Sequence, residues 1–263
     1  MTMDIRELAR RQLADYDLGH PGTIFSNNAV TLTIEQAYEL QREVAGLRQA
    51  RGEPVAGYKI GCVSPVMQAQ LDLDRPVFGH IYGSELHRSG VVLDPKRFDG
   101  LAIQGELAIR LKEDVRDVGW LRSHRQEVIG AAFAVIELHN YVFRNSPHTA
   151  SELIGNNAIH AGVVMPLEEP RIQDPDELLD EPLSVWKNGE RLGTETGRAL
   201  PDGPFGSLVR LAEHLIQSGR RLERGQLVLT GSPLPLFRVA AGDSIEVRWE
   251  KFGQSVTATV SRY

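Results

Sequence analysis

Residues 131–138, AAFAVIEL, are apolar until they meet a carboxylate at Glu137, and residues 104–111, QGELAIRL, set a second carboxylate, Glu106, inside another strand-like run. The first stretch has the texture of a strand buried on both faces. The second alternates: Leu107, Ile109 and Leu111 share one face, and Glu106, Ala108 and Arg110 the other. A carboxylate inside an apolar strand must be paired, protonated or on a metal. Lys59 precedes both, in the glycine-flanked VAGYKIG of residues 55–61. Two carboxylates and a lysine point to a small-molecule site, with or without a divalent metal.

Outward from this pair the chain divides by texture. The first 50 residues read as helical, with Ile5, Leu8 and Leu13 on one stripe. Thr33 and Gln36 have the spacing of a capping box, and Ala37, Leu40, Val44 and Leu47 follow at helical intervals. RGEPVAG ends that helix. From about residue 56 short β runs dominate. AGVVMP (161–166), QLVLTG (226–231), DSIEVRWE (243–250) and SVTATVS (255–261) read as strands, and LSVWKNGERLGTE (183–195) as a hairpin around Asn188-Gly189. One late helix is expected, capped by Ser207, burying Leu208, Leu211, Ala212, Leu215 and Ile216. Many strands with few helices between them predict an α+β or mostly β fold, not a doubly wound sheet. No glycine-rich loop joins strand to helix, which argues against a dinucleotide site.

Each candidate also has a plain structural reading. Glu137 could end a strand and reach solvent, since His139 and Asn140 follow. Glu106 shares its face with Arg110, as on a half-exposed strand. Lys59 could be solvated on an edge strand. Gln104, two residues before Glu106 and on the same face, is either a neutral oxygen ligand or a surface glutamine. His160, after GNNAI, is either a residue lining the site or, more simply, a satisfied structural histidine. No HExxH is present, and Ser232 in LTGSP has no GxSxG context.

Composition bounds the rest. The 263 residues suffice for a large core; 41% are hydrophobic and 24% charged, as in ordinary globular proteins. A net charge of −6 argues against nucleic acid as a partner. The single Cys62 excludes an intrachain disulfide and a multi-cysteine zinc site, and reads as a small buried residue suited to a reducing cytoplasm. The polar N-terminus has no signal-peptide core, and no apolar run is long enough to span a membrane.

The order of LTIEQAYELQ, VAGYKIGCVSPVMQAQL, DRPVFGHIY, QGELAIRL, AVIEL, GNNAIHAGVV and LTGSPLPLFRVAAGDSIEV resembles the 2-oxo acid hydratase and decarboxylase group of the fumarylacetoacetate hydrolase superfamily. That resemblance implies a mixed β-roll or barrel: a helical N-terminal region, 1–55, then a mostly β catalytic domain, 56–263. It also implies a Mg²⁺ or Mn²⁺ site at Gln104, Glu106 and Glu137, with Lys59, Glu106 and Glu137 catalytic. Lys59, Asn157, Thr230 and Gly231 would bind substrate. The family's Asp-Asn-Ala segment matches Asn156-Asn157-Ala158, and its Leu-Thr-Gly turn matches Leu229-Thr230-Gly231. Homo-oligomerisation, association with a paralogous hydratase and a role in cytoplasmic aromatic catabolism are implied likewise.

Four positions depart from the family pattern. Gln104 stands where the first metal carboxylate belongs. Val77, in Arg75-Pro76-Val77-Phe78-Gly79, replaces an aspartate proposed as the hydratase acid/base, and an apolar residue there resembles the decarboxylase branch. Tyr141-Val142 replaces a Ser-Arg pair, with Arg144 close by. Asp202-Gly203-Pro204 replaces Gly-His-Pro. The expected activity is a lyase acting on an unsaturated 2-oxo acid chelated by the metal, leaning to decarboxylation or tautomerisation over hydration. A metal-free acid/base enzyme and a non-catalytic binding partner are the alternatives.

Overall fold

A computed structural model describes residues 4–145, 147–171, 177–250 and 253–262. The strands are β1 Val55–Gly61, β2 Val77–Tyr82, β3 Leu86–Arg88, β4 Val91–Leu93, β5 Leu101–Leu111, β6 Ile129–Asn140, β7 His160–Met165, β8 Pro182–Lys187, β9 Glu190–Thr196, β10 Leu227–Leu229, β11 Phe237–Arg238, β12 Ser244–Trp249 and β13 Gln254–Val260. The helices are α1 Ile5–Asp17, α2 Ile34–Ala50, α3 Pro65–Gln70, α4 Val118–Ser123, α5 Arg125–Val128, α6 Ala150–Gly155, α7 Glu177–Asp180 and α8 Gly203–Gln217.

One sheet runs β2-β1-β10-β5-β6-β7-β3, with β11 added to β5. Its pairs are antiparallel except β1 with β10 and β3 with β7. The other runs β4-β13-β12-β8-β9. Such a mixed sheet with helices on its flanks fits the expected α+β class, not a doubly wound one. The long β5–β6 ladder is the spine: one face meets the second sheet and α8, and the other encloses Ala108, Phe133, Val135, Val163, Leu227 and Leu229. Gly105 allows the two sheets to approach, because a Cβ there would lie 2.6 Å from Val185 Cγ2.

Local signals act as expected in α2, where Thr33 and Gln36 form the reciprocal cap. Asn188 and Gly189 both take positive φ (54° and 80°), as the tight hairpin turn requires. The Asn188 side chain also accepts from Ser244 N–H and donates to Asp243. Helix α8 differs from expectation. It starts at Gly203 after Asp202, with Pro204 in its first turn, so Ser207 is a buried interior residue rather than its cap. Ile216 is 38% exposed and lies outside the buried stripe. Helices α1, α2 and α6 share a second core with Val77, which closes over one end of the curled sheet. Among the described residues no helix is long and apolar enough to cross a membrane.

Candidate active site

Strand parity assembles the site. Gln104 on β5 stands opposite Glu137 on β6, and Glu106 opposite Val135. Lys59 on β1 pairs with Leu229, which pairs with Ala108 of β5. Side chains alternate along a strand, so Lys59, Gln104, Glu106 and Glu137 share the inner face of the curled sheet. Lys59, Glu106 and Glu137 are 3%, 1% and 0% exposed, while Gln104 is half-buried. The solvated alternatives for all three charges therefore fail. β1 is interior, flanked by β2 and β10, and β6 continues past Glu137 to Asn140.

Glu137 is the hub. Its Oε1 lies 2.7 Å from His160 Nδ1 and 3.3 Å from Lys59 Nζ. Its Oε2 lies 3.4 Å from His139 Nε2 without a hydrogen bond. Burial would push the Glu137 carboxyl up, but neighbouring nitrogens outweigh it and hold the group well below the usual carboxylate range. Burial pushes His139 down to about 3. It is thus neutral near pH 7, and the cation that keeps Glu137 ionised is Lys59. Glu106 goes the other way: burial first, then the charge and hydrogen bond of Glu137, raise it well above normal. The Gly231 N–H donates to Glu106 Oε2 at 3.0 Å. The two carboxyls thus titrate as a coupled pair, Glu106 raised and Glu137 lowered.

His160, which the sequence offers as a site residue or a structural one, does contact Glu137, whereas His139 carries no sequence signal as a site residue. They are register partners across β6 and β7, and their sequence separation matches no ligand spacing. Two residues expected to bind substrate make hydrogen bonds to backbone here. Both ends of the Asn157 amide are bonded to the His80 backbone, at 2.7 and 2.8 Å, so it braces β2. Thr230 Oγ1 donates to the Leu107 carbonyl at 2.8 Å, on the face opposite Lys59. Gly231 reaches the site through its N–H on Glu106; its φ of 93° and a Cβ position 2.6 Å from Val63 make glycine necessary. Arg144 is tied to Asp99 and the Pro21 carbonyl and is not among the groups around Glu137. Cys62 is half-buried rather than buried.

Gln104 Nε2 donates to the Leu234 carbonyl at 3.1 Å, which leaves its Oε1 as a free acceptor. Two carboxylates and one amide oxygen suit a hard divalent cation in kind. The unpartnered buried Glu137 Oε2 is an oxygen that such an ion would satisfy. The set carries one charge fewer than three carboxylates. Among the described residues no three His, Cys, Asp or Glu side chains are grouped to hold a metal.

A curled mixed sheet with acidic residues and a lysine on its inner face is the architecture of a fumarylacetoacetate hydrolase-type domain. Residues 72–261 match the fumarylacetoacetate (FAA) hydrolase C-terminal family, and the chain belongs to that family. It is 27% identical over 236 residues to 4-oxalocrotonate decarboxylase of Pseudomonas putida, covering 89% of this chain and 88% of that one. It is 28% identical over 223 residues to 2-keto-4-pentenoate hydratase of Burkholderia vietnamiensis, covering 85% and 84%. Its fold matches the solved 4-oxalocrotonate decarboxylase of Pseudomonas putida G7, complexed with magnesium and adipate, with a TM-score of 0.87 and 23% identity over 97% of each chain. These relatives are a decarboxylase and a hydratase, and the matched structure holds magnesium.

Proposed function

We propose that this chain is a lyase acting on an unsaturated 2-oxo acid through its enol form, favouring decarboxylation or tautomerisation over hydration. The observation that carries this reading is the buried Glu106–Glu137 pair, one carboxyl pushed up and the other held down, with Lys59 Nζ 3.3 Å from Glu137. Glu106, Glu137 and the Gln104 amide oxygen would hold Mg²⁺ or Mn²⁺. When bound, such an ion supplies Lewis-acid stabilisation of negative charge on the 2-oxo oxygen.

Lys59 binds the substrate carboxylate or carries a proton to the dienol carbon. Gly231 fixes Glu106, and His160 fixes Glu137, so neither carboxyl reorients during reaction. Val77 favours loss of CO₂ over addition of water. The space above Gly61 brings the two side chains together: a Cβ there would lie 3.2 Å from Lys59 Nζ and 3.4 Å from Val77 Cγ2. On the Gly61 side of the site Val77 thus presents an apolar group, where an aspartate would present an acid.

The test is incubation with 4-oxalocrotonate and with 2-hydroxypenta-2,4-dienoate in the presence of Mg²⁺ or Mn²⁺. CO₂ release or ketonisation without net hydration supports the proposal; failure to consume either compound counts against it. A second reading, acid/base chemistry without a metal, draws on the Lys59–Glu137 contact, which already supplies Glu137 with a cation. Turnover that survives exhaustive chelation would favour it.

A further inference from the structure

A cleft of about 870 Å³ lies between α2, the outer face of β1 and β2, and the segment after α8. Tyr58 and His80 reach it from the strands; they are register partners, as are Lys59 and Gly79 one residue on. The cleft therefore lies on the opposite face of the two strands from the carboxylate pair.

Its charge is mostly of one sign. Arg42, Arg116, Arg220 and Arg221 line it, against Glu223. Arg221 is 3.6 Å from Asp114, and Arg116 lies 5.1 Å over the Trp120 ring. Arg42 and Arg220 have no carboxylate within ion-pair distance among the described residues. Arg220 Nη1 instead meets His80 Nε2 at 3.0 Å. A guanidinium only donates, so Nε2 accepts and the ring proton sits on Nδ1. His80 itself is 1% exposed. Burial, with Arg220 and His214, pushes His80 down to about 3, so a neutral ring accepts from Arg220 and orients it. Arg220 is held below its ordinary value chiefly by burial, with Arg42 adding to it. A half-buried guanidinium beside a second unpaired one is an incomplete electrostatic arrangement.

We infer that this cleft binds a small polyvalent anion of the phosphate class, held by the Arg42 and Arg220 guanidiniums, with His80 orienting Arg220. Planar guanidinium forks match phosphate oxygens in geometry as well as charge. Nothing in the proposed lyase chemistry uses these residues, so the inference stands apart from it.

The test is calorimetric titration of inorganic pyrophosphate at low salt into the native protein, Arg42→Gln, Arg220→Gln and Lys59→Met. Saturable binding is expected in native protein and Lys59→Met, weakened at least about tenfold in each arginine variant. Arg42 is exposed, so its replacement tests the claim even if Arg220→Gln does not fold. Equal affinity in Arg42→Gln, loss of binding in Lys59→Met shown to be folded by its melting curve, or no saturation by about 10 mM would each overturn the assignment. Citrate binding more tightly than pyrophosphate would overturn the phosphate class.

Discussion

Gln104 and Glu137 stand directly opposite each other on β5 and β6, so the amide faces the most heavily contacted carboxylate of the site. Glu137 is already approached by Lys59, His139 and His160. The neutral Gln104 lets that buried arrangement persist with a single ammonium rather than a fully charged trio of carboxylates.

Restoring the third charge should reverse this balance. Gln104→Glu is expected to destabilise the metal-free protein, because a buried like charge faces Glu137. It should tighten Mg²⁺ or Mn²⁺ binding by about tenfold or more. Calorimetric titration, with melting curves in chelator and in metal, checks both. Unchanged metal affinity would place Gln104 outside the coordination set.

Lys59→Met removes the cation that keeps Glu137 ionised. Turnover should fall by about 10²–10⁴-fold, the range for losing a proton-transferring group. Unfolding free energy should fall by about 3–5 kcal/mol, as when one partner of a buried ion pair is removed. Single-turnover rates and urea denaturation are the measurements; a variant with native activity would remove Lys59 from the mechanism.

His160→Ala deletes a buried hydrogen bond to an ionised carboxylate. The expected loss is about 1.5–3 kcal/mol in urea denaturation, with activity reduced through a freer Glu137. A variant as stable as native protein would mean that the 2.7 Å contact contributes nothing net.

The raised Glu106 carboxyl gives a signed pH dependence. Its unfolded value is about 4.3, so its contribution is fully present below that and is lost as pH rises through the higher folded value. Glu106→Gln mimics the protonated form. In chelator, the variant's stability relative to native protein should therefore increase with pH above about 4.3, by up to about 1.4 kcal/mol per unit. A difference independent of pH would show that Glu106 is ionised throughout.

The site's charged members were legible because each interrupts an apolar strand: Glu106, Glu137 and Lys59 are conspicuous where Val, Ile and Ala surround them. Strand parity also placed Gln104 beside Glu106. The sequence offers His160 only as an alternative and hides His139, because the β6–β7 register and not local spacing brings them together. The bonds of Asn157 to the His80 backbone and of Thr230 to the Leu107 carbonyl had no local sequence signal. The start of α8 was misplaced because Asp202, in a left-handed conformation, and Pro204 set it, while Ser207 looked locally like a cap. Arg220 and His80 come from separate elements, and no sequence interval announces their contact.

The central claim is that this buried pair of carboxyls, with Lys59, promotes enol formation in a 2-oxo acid. The most direct measurement is proton NMR of 2-oxopent-4-enoate in D₂O with Mg²⁺, following exchange at the carbon next to the keto group. The account predicts enzyme-dependent deuterium incorporation that is lost in Lys59→Met and Glu106→Gln. Exchange no faster than the buffer rate, with the compound demonstrably bound, would contradict it.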